Sequence, residues 1–355
     1  MMEKLLKIGI TQGDINGIGY EVILKTLADA RMLELCIPVI YGSSKAIGYY
    51  KKVLQLDHLS INIIKSANEA NSKRINIVNC GPEDVKVDMG QATAEGGEGA
   101  LAALEAATAE LIAGTIDALV TAPINKSNMP SDKFAFPGHT EYFEHKGNGQ
   151  KSLMILMSGQ TRIALATNHI AVSEISKTIT EELLVKKLTI LNKTLIRDFA
   201  IVKPRIAVFG LNPHAGDQGL FGDEEARIII PALKKANEQG VLCVGPLSAD
   251  GFWGSRSFQH YDAILAMYHD QGLAAFKALY MDEGVNYTAG LPFVRTSPAH
   301  GTAYDLVGKN EASEQSFRQA MYSACDIIRH RATYDESSKN PLIVEPVRFS
   351  HRKND

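Results

Sequence analysis

The sequence predicts an α/β fold with largely parallel strands, on three observations. Apolar runs of strand length alternate with longer helical patterns along all 355 residues. Five of those runs end in Gly, Asn, His, Asp or Lys, the residues that gather where strands of an open α/β sheet meet a ligand. The composition, 45% hydrophobic and 22% charged, suits a globular chain long enough for one large core or two domains.

The elements follow in order. KIGIT runs into QGDINGIG, a glycine loop that is neither GxGxxG nor GxxxxGK[ST], so a turn for close packing competes with a nucleotide loop. EGALAALEAATAELIAG, residues 98–114, is Ala/Leu/Glu-rich and closes on glycine, as a helix does. IDALVTA runs into PINKSN, TRIALAT into NHIAV, PRIAVFG into LNPHAGDQG, and YDAILAMY into HDQG. Thr178 and Glu181 predict a capping box ahead of Leu184, Leu188, Leu191 and Leu195, which recur at helical spacing. Residues 223–240 start acidic and finish Glu-Gln-Gly, with Pro231 expected to kink the helix between. The polar end from about Thr333 is expected to fray. Strands that share one sheet and one direction bring their carboxyl ends together, which places His269 and Asp270 at a cleft.

Charge and cysteine usage exclude several classes. A net charge of -3 offers no field for nucleic acid or an anionic membrane surface. No uninterrupted apolar run spans a bilayer, and MMEKLLKIGITQGD reaches Gly-Asp too soon for a signal segment. Cys36, Cys80, Cys243 and Cys325 are widely spaced with no CxxC, so reduced thiols and a cytoplasmic location are expected.

Three of the ten histidines share one context, a strand-like run followed within a few residues by the imidazole: His169 in ATNH, His214 in LNPH and His269 in MYHD. Neutral imidazoles suit a divalent transition metal, and three of them leave positions for substrate oxygens. Asp270 is placed to orient a ring. Taken singly, each histidine is more often a hydrogen-bonding loop residue. Lys126, Lys277 and Arg295 lie close to apolar segments and suit a phosphate or carboxylate. A solvated surface cation is the alternative, weakest for Arg295 inside GLPFVRTS. GHTEYF sets His139 and Thr140 beside a glycine; His139 is either an acid–base or phosphate-contacting group or part of a capped turn. Asn286 in GVNYTAG either donates to the same anion or stabilises a turn.

Together these segments resemble the PdxA family, the 4-hydroxythreonine-4-phosphate dehydrogenases of pyridoxal phosphate biosynthesis. The match runs from GITQGDINGIGYE through GHTEYF, LNPHAGDQG and AMYHDQGLAAFK to GVNYTAGLPFVRTSPAHGTAYDLVGKNEAS. The first loop departs from the family's GDPxGIGPE, with Ile15 and Tyr20 in place of two prolines. The resemblance implies two α/β/α domains around a cleft, as in isocitrate and isopropylmalate dehydrogenases. One domain would combine residues 1–125 with 265–355, and 126–264 would form the other. It implies a homodimer with active sites at the subunit interface and a divalent metal (zinc, cobalt or magnesium) on His169, His214 and His269. Imidazole ligands favour the first two metals over magnesium. It places a small phosphorylated substrate on His139, Thr140, Lys277, Asn286 and Arg295, and brings Lys126 to the cleft. HGTAYDLVGKNEAS is similar to the cofactor loop of those dehydrogenases, which implies contacts from His300, Gly301 and Asp305. An acidic residue near the adenosine ribose favours NAD over NADP.

The implied reaction is oxidation of 4-phosphooxy-L-threonine at C3, followed by decarboxylation to 3-amino-2-oxopropyl phosphate. Asp250 and His139 are the candidate bases. The alternative substrates are phosphorylated sugar acids, 4-phospho-D-threonate or 4-phospho-D-erythronate. A metallohydrolase and a non-catalytic binding protein are the readings from other classes.

Overall fold

The computed structural model describes residues 5–82, 84–147, 149 and 151–340. Its strands are β1 (Leu6–Thr11), β2 (Cys36–Gly42), β3 (Ile61–Ile64), β4 (Ile75–Asn79), β5 (Ala118–Thr121), β6 (Leu153–Ser158), β7 (Thr161–Leu165), β8 (Ile206–Phe209), β9 (Cys243–Leu247), β10 (Ala263–Ala266), β11 (Val285–Ala289) and β12 (Val294–Pro298). They form one sheet in the order β3-β4-β2-β1-β5-β12-β11-β6-β7-β10-β8-β9. The α/β expectation is borne out, and the five apolar runs are β1, β5, β7, β8 and β10.

Pairing is parallel from β3 to β12 and again from β7 to β9. Between them, β11 runs antiparallel to both β12 and β6, and β6 antiparallel to β7. These three successive antiparallel pairings leave the two parallel blocks running in opposite directions, so the strands do not all share the one direction expected from the sequence. Near-continuous Ile, Val, Leu and Ala in β1, β5, β8 and β10 reflect burial on both faces. Helices cover those faces, and the long helix Gln315–Ser337 packs on β12, β5 and β11.

Three local readings change. The helix read as 98–114 spans Ala94–Ile112, capped by the Thr93 hydroxyl, which accepts from the Gly96 amide. The cap before the leucine helix is Thr180, not Thr178: its side chain accepts from the Leu183 amide, and Glu181–Arg197 follows. Thr178 instead donates back to the Glu174 carbonyl, in a short turn of its own. The four leucines are fully buried, as their spacing requires. The predicted kink is a five-residue π turn, Glu225–Ile229, leading into Ile230–Glu238 with Pro231 in its first turn. The stretch from about Thr333, expected to fray, stays helical as far as Ser337, where Asp335 takes a two-pronged contact from Arg197 at 2.9 and 2.6 Å. The rest of that polar end, 341–355, lies outside the described residues. Among the described residues no helix is long and apolar enough to cross a membrane.

Two polar arrangements hold the frame. Asp198 accepts from Arg331 Nε and Nη2 at 2.7 and 3.1 Å and from the Tyr287 hydroxyl at 2.5 Å. That buried cluster ties the long helix to β11 and so fixes the strand carrying Asn286; losing one partner would strand a charge. At the other arrangement, Tyr20 donates to Gln12 Oε1 at 2.6 Å and accepts from the Ser43 amide at 2.9 Å, while the Tyr50 hydroxyl donates to the Ile15 carbonyl. Ile15 and Tyr20 are buried, so packing and hydrogen bonds stiffen this loop where the family pattern has proline.

Candidate active site

Three of the five polar strand ends meet at one cavity of about 290 Å³. β5 leads to Lys126, β7 to His169, and β10 to the helix His269–Tyr280. On that helix His269, Leu273 and Lys277 recur every four residues, so all three face the cavity. The rest of HDQG is structural. Gln271 accepts from the Met267 amide and donates to the Gly210 carbonyl, both at 2.7 Å, locking β10 to the end of β8. A Cβ at Gly272 would stand 2.8 Å from the Ile163 side chain, so only glycine lets this helix sit down on β7.

The other two strand ends go elsewhere. The glycine loop after β1 braces the loop read as cofactor-binding: Ile18 N donates to the Thr302 carbonyl at 3.0 Å, and the Tyr304 hydroxyl donates to Asp14 Oδ2 at 2.7 Å. A Cβ on Gly13 would fall 2.3 Å from the Pro123 carbonyl, at a positive φ besides. In this chain the loop is a packing turn.

The loop after β8 carries His214 away from the cavity. His214, Ala215, Asp217 and Gln218 all have left-handed backbone, costly for non-glycine residues. Glu225 holds the run's entry, accepting from the Leu211 and Asn212 amides at 2.7 and 2.8 Å. His214 is exposed, as is Asp250, which accepts from the Ser248 hydroxyl at 2.5 Å. The Asp250 pKa is lowered by that hydroxyl first and by the Gly251 amide next, with His214 adding a smaller pull. These two residues therefore share a neighbourhood outside the cavity, and sequence reasoning did not separate them from the rest.

Within the cavity Arg295 is the most constrained group. It is 1% exposed, and its guanidinium donates to Thr121 Oγ1 (3.1 and 2.5 Å) and Thr288 Oγ1 (3.1 Å). Its charged carbon stands 5.6 Å from the Phe143 ring centre. Among the described residues no carboxylate pairs with it, and burial pushes its pKa down to about 9, leaving it charged at neutral pH. Lys126, Lys277, His139, Thr140 and Asn286 line the same space, as do His300 and Gly301. Burial first, then the Arg295 and Lys126 charges, holds His139 well below the usual imidazole pKa, so it is neutral. Four polar atoms there are buried without a partner: His139 Nε2, Glu141 Oε2, Asn286 Oδ1 and His300 Nε2. Asp305 is exposed and does not line the cavity.

His169 and His269 face each other, with ring centres 5.9 Å apart. His269 Nδ1 is engaged by Asp270 at 2.7 Å, which leaves Nε2 for another partner. Two imidazoles at this spacing are donors of the type a divalent cation accepts. Among the described residues no group of three His, Cys, Asp or Glu stands close enough to hold a metal within one chain. Sequence reasoning missed Glu141, among the described residues the single carboxylate in the cavity wall, although GHTEYF places it in the first turn of the helix His139–Lys146.

The family profile described as pyridoxal phosphate biosynthetic protein PdxA matches residues 34–324. This chain belongs to the PdxA family. It is 57% identical over 343 residues to a 4-hydroxythreonine-4-phosphate dehydrogenase of Bacteroides thetaiotaomicron, covering 96% of this chain and 94% of that one. A Sulfurihydrogenibium protein of the same name is 38% identical, over 92% of this chain and all of its own. The Klebsiella pneumoniae 4-hydroxythreonine-4-phosphate dehydrogenase superposes with a TM-score of 0.79 at 33% identity, covering 92% of this chain and 99% of the other. The Burkholderia phymatum enzyme of that name gives 0.75 at 35% identity, with the same coverage. A terephthalate dihydrodiol dehydrogenase of Burkholderia xenovorans, 23% identical with a TM-score of 0.60, shares the fold.

Proposed function

We propose that this PdxA protein is an NAD-dependent, divalent-metal-dependent 4-hydroxythreonine-4-phosphate dehydrogenase. It oxidises 4-phosphooxy-L-threonine at C3, and the β-keto acid then loses CO2 to give 3-amino-2-oxopropyl phosphate. The observation that carries this reading is Arg295: a buried, charged guanidinium with no carboxylate partner among the described residues, in a cavity also lined by Lys126, Lys277 and the imidazoles of His169 and His269. A buried cation without a counter-ion is costly, and an anionic ligand removes that cost. The names of relatives at 57% and 38% identity supply the substrate.

Arg295, Lys277 and Asn286, with His139 and Thr140, grip the phosphate and carboxylate ends and so hold C3 in place between them. A divalent metal on His169 and His269, with His214 from a second copy, would supply positive charge beside the alcohol and later the ketone. Zinc or cobalt fits imidazole donors better than magnesium. NAD would accept the hydride from C3; the unpartnered His300 Nε2 and the open backbone of Gly301 fit a contact to it, and Asp305 on the same loop extends that contact.

His139 is a candidate base. Its imidazole is held neutral by burial first and by the Arg295 and Lys126 charges next, so anions bound against those cations offset the second part and make it a stronger base in the complex. Asp250, ionised beside His214, is the other candidate and would reach the cavity only from a second copy. Exposed apolar side chains next to both histidine loops support a homodimer: Ile170 and Val172 after His169, Leu220 and Phe221 after His214. The cytoplasm is the expected compartment.

The test is NADH production, read by absorbance, with purified protein, 4-phosphooxy-L-threonine and Zn2+ or Co2+. Turnover that needs all three components is the expected result. Absence of NADH under every metal would sink the reading, and higher kcat/KM on 4-phospho-D-threonate or 4-phospho-D-erythronate would shift the substrate.

A further inference from the structure

Glu141 has no role in the reading so far, yet among the described residues it is the one acidic residue in the cavity wall. Its Oε1 lies 3.4 Å from His169 Nδ1, while Oε2 is buried without a hydrogen-bond partner. Lys126 approaches from the other side: a Cβ built on Gly138 would stand 3.5 Å from Lys126 Nζ and 3.4 Å from Glu141 Oε2. The ammonium and the carboxylate thus both lie close to Gly138. The arrangement parallels the pair across the cavity, where Asp270 engages His269 Nδ1 at 2.7 Å. In both, a carboxylate faces Nδ1 and the two rings turn toward each other.

We propose that Glu141 is a positioning residue for His169: its carboxylate accepts the hydrogen bond from Nδ1–H, fixes that tautomer, and keeps the Nε2 lone pair aimed into the cavity. The inference rests on the reading above, in which His169 is a metal ligand. An imidazole whose Nδ1–H is held by a carboxylate is a more basic and better-aimed ligand than one free to change tautomer and rotate.

The test uses the full chain and two readouts besides turnover. Nitrogen-15 spectra of labelled histidine, with His169 assigned by its loss in His169→Gln, report the tautomer without metal. Titration with Co2+ alone reports affinity. Wild type should hold the Nδ1–H tautomer, and Glu141→Ala should mix the tautomers and weaken Co2+ binding by about 10- to 100-fold at unchanged melting temperature. Glu141→Gln keeps an acceptor oxygen and should recover most of the affinity. A wild-type tautomer and affinity in Glu141→Ala would overturn the proposal. So would equal weakening in Glu141→Gln, which would assign the effect to charge alone. If wild type itself bound no Co2+, the metal reading would fail, while the tautomer spectra would still decide the Glu141–His169 contact.

Discussion

His169 and His269 differ from His214 in one respect that the sequence hides. All three follow strands of the same sheet, and β7, β10 and β8 are neighbours in it. Yet the first two close on a shared cavity, while a left-handed run of backbone carries His214 outward, beside the exposed Asp250. One chain therefore builds a strongly cationic anion pocket with two aimed imidazoles, and displays on another surface the third imidazole and a carboxylate. In the function proposed above, pairing of two copies would complete a site whose parts lie on two faces of one chain, and strained backbone at His214 is what such a function would preserve.

Substitutions can break or sharpen that contrast. His269→Ala should abolish metal-dependent turnover, by about a thousandfold or more, with the fold intact because the ring is partly exposed. Near-normal activity in the metal-stripped variant would defeat the assignment. Mixing inactive His214→Ala and His269→Ala chains, with subunit exchange, should restore about a quarter of wild-type activity, since half the dimers carry one site free of both lesions. No recovery would place His214's function within its own chain.

The bases separate next. Whichever of His139→Gln and Asp250→Asn removes the proton acceptor should lower kcat by about 100- to 10,000-fold with little change in KM. Comparable kcat in both variants would exclude both residues. Arg295→Met should raise the substrate KM by about 10- to 100-fold while leaving the free protein as stable or more so, because an unpaired buried charge is replaced by an apolar chain. An unchanged KM would make Arg295 a structural residue. The smallest effect belongs to the loop after β1. Tyr20→Phe should cost about 1 kcal/mol in chemical denaturation with kinetics unaltered, because Gln12 Oε1 still receives the Ser43 amide. A change in KM would restore a ligand-binding role to that loop.

Much of the fold and part of the site were legible in the chain itself. Apolar runs bounded by polar loops located β1, β5, β7, β8 and β10, because burial on both faces of a sheet leaves little choice of side chain. Segment chemistry also named the cavity-lining residues His139, Thr140, Lys277, Asn286 and Arg295. It missed Glu141, whose place in a helix's first turn reads as ordinary N-terminal charge. It read Thr178 as a cap where Thr180 does the work, since two threonines two residues apart offer the same signal and only the chain's path decides between them.

The sequence alone determined the layer pattern and the kinds of group that can bind an anion or a cation, because these follow from periodicity and side-chain chemistry. Only the tertiary structure decided which groups meet. Strand order put β5, β7, β10 and β12 around one cavity, and the backbone after β8 turned His214 out of it. Proximity between residues a hundred positions apart is a property of the packed sheet, and no local pattern encodes it.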